Sequence, residues 1–310
     1  MKDSPVIAVV GAGAIGTFYG TRLALAGADV RFLLRGDLKA VQQRGSLQIE
    51  GRATVEELRP VQVFGATAGI GPVDLVLVTL KTTSNAALQE LLPPLLGPDT
   101  AICTLQNGLG ADEEIAAAFG AERVMGGLAF ICVTRAGPGR VHCDYPGSIA
   151  LGEFGRPPLV RTEQLARCFD AAGIKSRVAE NLLEARWRKL VWNIPFNGLA
   201  IARGGITTDK LCADPALAAE VRALMHEVQH AAAAFGFSLP DKFLDRQMEE
   251  TPKMGAYPPS SLVDFLAGRA VEVESIWGEP LRRARAASVA TPRLAALYAE
   301  LRQLTAGAAL

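Results

Sequence analysis

The chain has 310 residues, 49% of them hydrophobic, enough for about two domains of roughly 100–200 residues each. Lysine plus arginine and aspartate plus glutamate stand equal at 32 each, which argues against a broad surface for nucleic acid or another polyanion. No apolar run reaches the roughly 20 residues that a membrane-spanning helix needs, and the stretch from Met1 to Gly13 lacks a signal-peptide layout, so a cytoplasmic protein without membrane contact is expected.

Val6–Val10 reads as a buried strand, broken at once by Gly11, Gly13 and Gly16 in the spacing G-x-G-x-x-G and followed by a helical pattern to Gly27. That order gives the glycines distinct tasks. Gly11 allows the tight turn, Gly13 lets a pyrophosphate approach the backbone, and Gly16 lets the helix pack on the strand. The free N–H groups and positive end of the helix then face the phosphates. The whole turn, Gly11, Ala12, Gly13, Ala14, Ile15 and Gly16, is therefore assigned to a dinucleotide.

Ala28–Leu34 reads as a second strand. An NAD site usually places an acid at its end, for the ribose hydroxyl. Here the strand ends in Arg35-Gly36; Asp29 comes too early and Asp37 follows Arg35. A guanidinium pairs bidentately with a 2′-phosphate, so NADP(H) is the expected cofactor.

Segments 45–50 and 53–64 read as short strands or a hairpin with Gly51 as the turn. Asp74–Leu80 is a continuous apolar strand of the kind buried on both faces of a parallel sheet, ending in Lys81. A helix is expected over 84–92, then a strand over Thr100–Leu105 that leads to Asn107-Gly108. Ligands bind at the carboxyl ends of such strands, which singles out Lys81 and Asn107. Residues 123–152 look like further strands of the sheet, and 162–172 and 174–178 like a helix and a last strand.

From Glu180 the pattern becomes helical, with helices expected over 180–201, 213–235, 240–250, 260–287 and 291–304. The expected fold is an α/β Rossmann domain over residues 1–178 followed by an all-α domain over 179–310.

Two stretches of the second half carry chemistry. In Trp187–Gly198, Lys189, Asn193 and Asn197 recur every fourth residue, so they stack along one helix face among bulky apolar neighbours. Buried polar groups need partners, and a ligand carboxylate or hydroxyl could supply them. Pro195 should kink this helix between the asparagines. In Pro258–Glu274, Ser260 or Ser261 can cap a helix, and Glu272, eight residues after Asp264, falls on nearly the same face as that aspartate. His226 and His230 are four apart with no acid in a metal pattern, and the five cysteines form no C-x-x-C, so no metal is expected.

Taken together, GAGAIG, Arg35, LKT at Lys81, QNG at Asn107, WRKLVWNIPFNGLA and PSSLVDFLAGRAVEVE resemble the ketopantoate reductase (2-dehydropantoate 2-reductase) family over nearly the whole length. The resemblance implies a Rossmann domain that binds NADPH, a helical domain like that of 6-phosphogluconate dehydrogenase, and a substrate cleft between them. It implies that Arg35 and Lys81 hold the phosphate end of the cofactor and that Asn107 lies near the nicotinamide. Lys189 would be catalytic. Asn193, Asn197 and Ser260 or Ser261 would hold a small 2-keto acid, and Glu272 would lie beside substrate and cofactor. The implied reaction is reduction of 2-dehydropantoate to D-pantoate in pantothenate biosynthesis, with Lys189 as general acid. Reduction of another branched 2-keto acid and a non-catalytic NADPH-binding sensor stay open, as does a homodimer. Two departures from the family prototype stand out: the segment Ala202–Thr208 lacks the prototype's further substrate-side asparagine, with Thr207 near its expected place, and Tyr257 stands where the prototype has an asparagine before the serine pair.

Overall fold

The structure, a computed structural model, describes residues 5–306; the first four residues of the amino-terminal stretch lie outside it. By its contacts the chain falls into two units. One comprises the residues up to Gln106 together with Ala111–Leu182. The other comprises Asn107–Gly110 together with the residues from Leu183 onward.

The first unit runs β1 (Val6–Val10), α1 (Ala14–Leu25), β2 (Asp29–Leu33), α2 (Leu38–Arg44), β3 (Leu47–Glu50), β4 (Val55–Leu58), β5 (Gln62–Phe64), β6 (Val73–Val78), α3 (Leu88–Leu91), β7 (Leu96–Thr104), α4 (Ala111–Phe119), β8 (Val124–Gly137), β9 (Arg140–Glu153), α5 (Val160–Ala171) and β10 (Lys175–Val178). Its sheet has the order β4-β3-β9-β8-β7-β6-β1-β2-β5, with β10 on β9. From β8 to β5 all neighbours are parallel. This is the expected Rossmann core, and β1 lies at its centre between β2 and β6.

Alternation along β1 fixes the two faces of the sheet. Ile7 and Val9 join a core with Phe18, Tyr19 and Leu23 of α1 and Leu165 and Phe169 of α5. Ala8 and Val10 join another with Leu88 of α3 and Ile115 of α4. Beyond β8 the sheet turns mixed: β8 and β9 form a long antiparallel hairpin, and β3 pairs parallel with β9 and antiparallel with β4. This part curls over α1, which touches β1, β2, β3, β4, β8 and β9. Enclosure explains why polar Thr17 and Thr21 are buried on that helix.

Two expected elements differ in detail. The helix expected over 84–92 is a 3-10 turn, Thr82–Ala87, followed by the single turn of α3. Asn85 is buried there and binds Glu114 and Gln106 through its side chain, the kind of local polar bonding that competes with a regular helix. The stretch 53–64 splits into β4, which closes a hairpin with β3, and β5, which joins β2.

The second unit contains α6 (Leu182–Ala202), α7 (Thr208–Ala213), α8 (Pro215–Ala233), α9 (Asp241–Glu250), α10 (Ser260–Leu266), α11 (Glu279–Ala286) and α12 (Pro292–Thr305). The helix expected over 260–287 is broken. It ends at Leu266, and Gly268 takes a left-handed φ of 64°. Asp264 and Arg269 pair across the stop at 2.9 Å. The chain re-enters through a π turn, Glu274–Gly278. Glu272 therefore sits in the connection, and it does not share a helix face with Asp264.

Side chains of one helix cap another in this unit. Glu227 of α8, although buried, accepts from the Arg293 and Leu294 N–H groups that open α12, both at 2.9 Å. Pro195 lies inside α6, where it removes a backbone donor. Beside it, the buried indole of Trp277 donates to the Ile194 carbonyl at 2.9 Å. Gly198 makes room for that approach: a Cβ there would come within 2.8 Å of the indole nitrogen and 2.7 Å of Leu297. Gly198→Ala should accordingly destabilise the protein by about 1–3 kcal/mol, the scale of an overpacked core, read as a lower denaturation midpoint in urea.

Candidate functional site

In the first unit the glycine turn follows β1 and opens α1. Gly11 has φ 102°, and a Cβ on it would meet the Leu80 backbone nitrogen at 2.4 Å. Gly16 faces the opposite constraint: a Cβ would meet Thr79 Oγ1 at 2.4 Å and Val9 at 2.9 Å, so the helix packs on the strands only with glycine there. Gly13 is different. Its missing Cβ would touch nothing closer than the Gly11 carbonyl at 3.9 Å, which leaves its outer side open to a ligand. Ala12, Ala14 and Ile15 line the turn half-buried against the core.

No side chain caps α1, and the N–H groups of its first turn, from Ala14 onward, have no carbonyl a turn behind them. Thr79, just past β6, ties the loop down by donating its hydroxyl to the Gly11 carbonyl at 2.7 Å. A pinned turn with an open face and unsatisfied donors fits the pyrophosphate of a dinucleotide. Arg35, two residues past β2, is exposed, and its guanidinium makes no hydrogen bond or ion pair with a described residue. Lys81, three residues past β6, is half-buried, and its carbonyl accepts from the Ser84 N–H.

In the second unit α6 carries Lys189, and the loop Asn107–Gly110 supplies its partner. Lys189 Nζ donates to Asn107 Oδ1 at 2.8 Å. The π turn holds that loop in place. Leu109 N–H donates to the Ser275 carbonyl at 2.9 Å, and a Cβ on Gly108 would meet the same oxygen at 2.2 Å. The ammonium of Lys189 is pushed from its ordinary 10.5 down to about 7. Burial is the largest cause, the neighbouring Arg186 charge adds to it, and the Glu272 carboxylate works in the opposite direction. Lys189 thus stands near its midpoint at neutral pH, the condition that suits a proton donor or acceptor.

Asn193 and Asn197 follow on α6, both buried. The Asn193 side chain makes no hydrogen bond to a described residue. Asn197 Oδ1 accepts the Ser261 N–H at 2.9 Å and lies 3.5 Å from Ser260 Oγ. The helix expected to be capped by its own serine is instead capped from α6 by Asn197, and neither serine hydroxyl caps α10. Ser260 is exposed at this start and Ser261 is buried. The unit therefore gathers Lys189 with Asn107 and the Glu272 charge, and Asn197 with both serines, along one helix.

The sequence reading missed three contributors. Arg186 lies three residues before Lys189, one turn away, and is buried. Ser275 acts through its carbonyl, which no sequence pattern reports. Thr79 sits two residues before Lys81, at the strand exit already singled out. His226 is bound to Gln229 at 2.9 Å, and no group of three or more His, Cys, Asp or Glu among the described residues could hold a metal.

The geometry can be set beside known proteins. The ketopantoate reductase PanE/ApbA family model matches residues 7–156, and its C-terminal companion matches residues 181–305. The chain belongs to the ketopantoate reductase family. A 2-dehydropantoate 2-reductase of Nostoc sp. is 40% identical over 303 residues, covering 96% of this chain and 94% of that protein. The crystal structure of 2-dehydropantoate 2-reductase from Geobacter metallireducens matches with a TM-score of 0.93 and 42% identity, over 96% of this chain and 99% of the other. That from Methylococcus capsulatus matches with a TM-score of 0.90 and 36% identity, over 98% of each chain. The α/β Rossmann-like unit, the helical unit and the oxidoreductase class expected from the sequence are those of this family. No helix among the described residues is long and apolar enough to cross a membrane.

A lysine whose folded-state pKa lies below its unfolded value opposes folding whenever the unfolded chain binds the extra proton. That cost is complete below about pH 7 and fades as pH rises toward 10.5. Lys189→Met should therefore raise the melting temperature at pH 7, and the gain should shrink by pH 10; thermal melts at the two pH values check it.

Proposed function

We propose that this chain reduces 2-dehydropantoate to D-pantoate with NADPH, and that Lys189 is the general acid. One observation carries the reading: Lys189 Nζ is fixed on Asn107 Oδ1 at 2.8 Å with its pKa brought down to about 7. Related proteins 36–42% identical bear the name of that reaction.

The roles follow from charge. When bound, NADPH supplies the hydride that adds to the keto carbon. The glycine turn from Gly11 to Gly16 holds its pyrophosphate, and Arg35 and Lys81 hold its remaining phosphate charge. Asn107 orients Lys189 and, as the family resemblance implies, would serve the nicotinamide end of the cofactor. As the carbonyl is reduced, negative charge grows on its oxygen. Lys189 stabilises that oxygen and gives it a proton, which yields the 2-hydroxy acid and a neutral amine. Solvent returns the proton to Lys189. Glu272 favours the charged lysine before transfer, and Arg186 makes the proton easier to release. The side-chain NH2 groups of Asn193 and Asn197 are donors suited to the substrate carboxylate and hydroxyl, and the Ser260 hydroxyl, directed at Asn197 Oδ1 at 3.5 Å, can turn to join them.

NADPH oxidation at 340 nm, with 2-dehydropantoate and a panel of branched 2-keto acids, tests the reading; no turnover of any of them would sink it. Lys189→Ala should lower kcat by about 100-fold or more, the usual share of a general acid, with NADPH affinity nearly unchanged. With the wild-type enzyme, kcat/KM for reduction should hold at low pH and fall about tenfold per unit above roughly pH 7, because the acid form of Lys189 is lost there. Arg35→Ala should weaken NADPH binding by about 1–3 kcal/mol and leave NADH binding almost unaltered.

A further inference from the structure

Two residues past β2 stands Arg35, which suits a 2′-phosphate, yet an acid, Asp37, stands two residues further on. Asp37 has the charge that would repel that phosphate, and it is the residue type that reads the ribose hydroxyl in NAD sites. In the structure this charge is occupied. Both Asp37 carboxylate oxygens accept from one Arg135 nitrogen, each at 2.8 Å. Asp37 Oδ2 also accepts the Gly139 N–H at 2.9 Å. Arg135 comes from β8, nearly a hundred residues later, near the tip of the β8–β9 hairpin.

We propose that Arg135 determines cofactor specificity by masking Asp37, so that Arg35 faces the nucleotide without an opposing carboxylate beside it. The inference rests on the reading that Arg35 binds the 2′-phosphate. With Arg135 present, the Asp37 carboxylate is neutralised and turned toward the hairpin. Without it, a full negative charge is released two residues from Arg35, where it either pairs with that guanidinium or opposes the phosphate. Both outcomes favour NADH over NADPH. The hairpin tip does not depend on this pair for its place: Arg44 donates to the Pro138 carbonyl at 2.9 Å, and the Gln48 N–H donates to the Gly139 carbonyl at 3.1 Å. Arg135 itself is about half exposed, so its replacement leaves the core intact.

The test is nucleotide binding, with Kd measured by fluorescence titration for NADPH and NADH, and by calorimetry for 2′,5′-ADP and 5′-ADP. In Arg135→Gln the preference for the 2′-phosphorylated nucleotide should fall about fivefold, the effect of one unmasked charge acting through water. In Arg135→Gln/Asp37→Asn it should return to the wild-type value. Equal loss for both nucleotides, or no recovery in the double variant, would overturn the proposal and leave the pair a structural one. Arg35→Ala separates the two ideas. A preference that falls in Arg35→Ala but not in Arg135→Gln removes Arg135 alone. A preference that falls in Arg135→Gln but not in Arg35→Ala keeps the Asp37 mask and removes Arg35 as the phosphate reader.

Discussion

An ammonium group withdrawn from water is the constraint on which the second unit depends. Lys189 lies on a helix whose neighbours Leu190, Val191 and Ile194 are buried. A charge there is costly unless it is paired, or its pKa falls until the neutral form competes. The structure does both. Asn107 takes one N–H of the lysine, and Glu272 offsets part of the depression that burial and Arg186 impose. Each of these groups is held by something else. The Asn107 loop is anchored on the Ser275 carbonyl, and Ser275 Oγ reaches back to the Glu272 carbonyl at 3.4 Å. The break that separates α10 from the π turn is therefore a device: a continuous helix over 260–287 would leave no turn to receive the loop.

The glycine turn shows the same economy with sterics in place of charge. Gly11 and Gly16 are required by contacts inside the protein, since a methyl at either would collide with Leu80 or Thr79. Gly13 has no such internal reason. Its side remains open, which leaves room for the close approach of a phosphate. The spacing alone makes the three glycines look equivalent. Their surroundings divide them into two that build the turn and one that faces outward.

Much of this was legible in the sequence, and the limits were physical. The parallel core was readable because buried strands such as DLVLVTL are apolar throughout and the glycines punctuate them. The polar line of α6 was readable because a four-residue period puts Lys189, Asn193 and Asn197 on one face. The curl of the sheet over α1 was not, because it depends on β3 pairing with β9, about ninety residues apart. The caps were not legible either. Ser260 and Ser261 match the local pattern for an N-cap, but the bond comes from Asn197, sixty-four residues away. Local propensity marks that a helix start needs a cap; tertiary packing decides which side chain provides it.

That exchange bears on how the site recognises a substrate. Asn197 Oδ1 accepts from both the Ser261 N–H and the Ser260 hydroxyl, so its two lone pairs are taken and its N–H groups are what remains. Thr207, near the place where the resembled family's prototype has an asparagine, donates its hydroxyl to Asp209 and so brings no free donor of its own. Tyr257, at the other departure, gives its carbonyl to Thr208 and sets its ring 6.4 Å from that of Trp192. The side-chain N–H groups of Asn193 and Asn197 make no hydrogen bond to a described residue, while the Ser260 hydroxyl is directed at Asn197 Oδ1. The charge balance around Lys189 and the packing of positions 207 and 257 are thus built by different contacts: the first by Asn107, Arg186 and Glu272, the second by Asp209, Thr208 and Trp192.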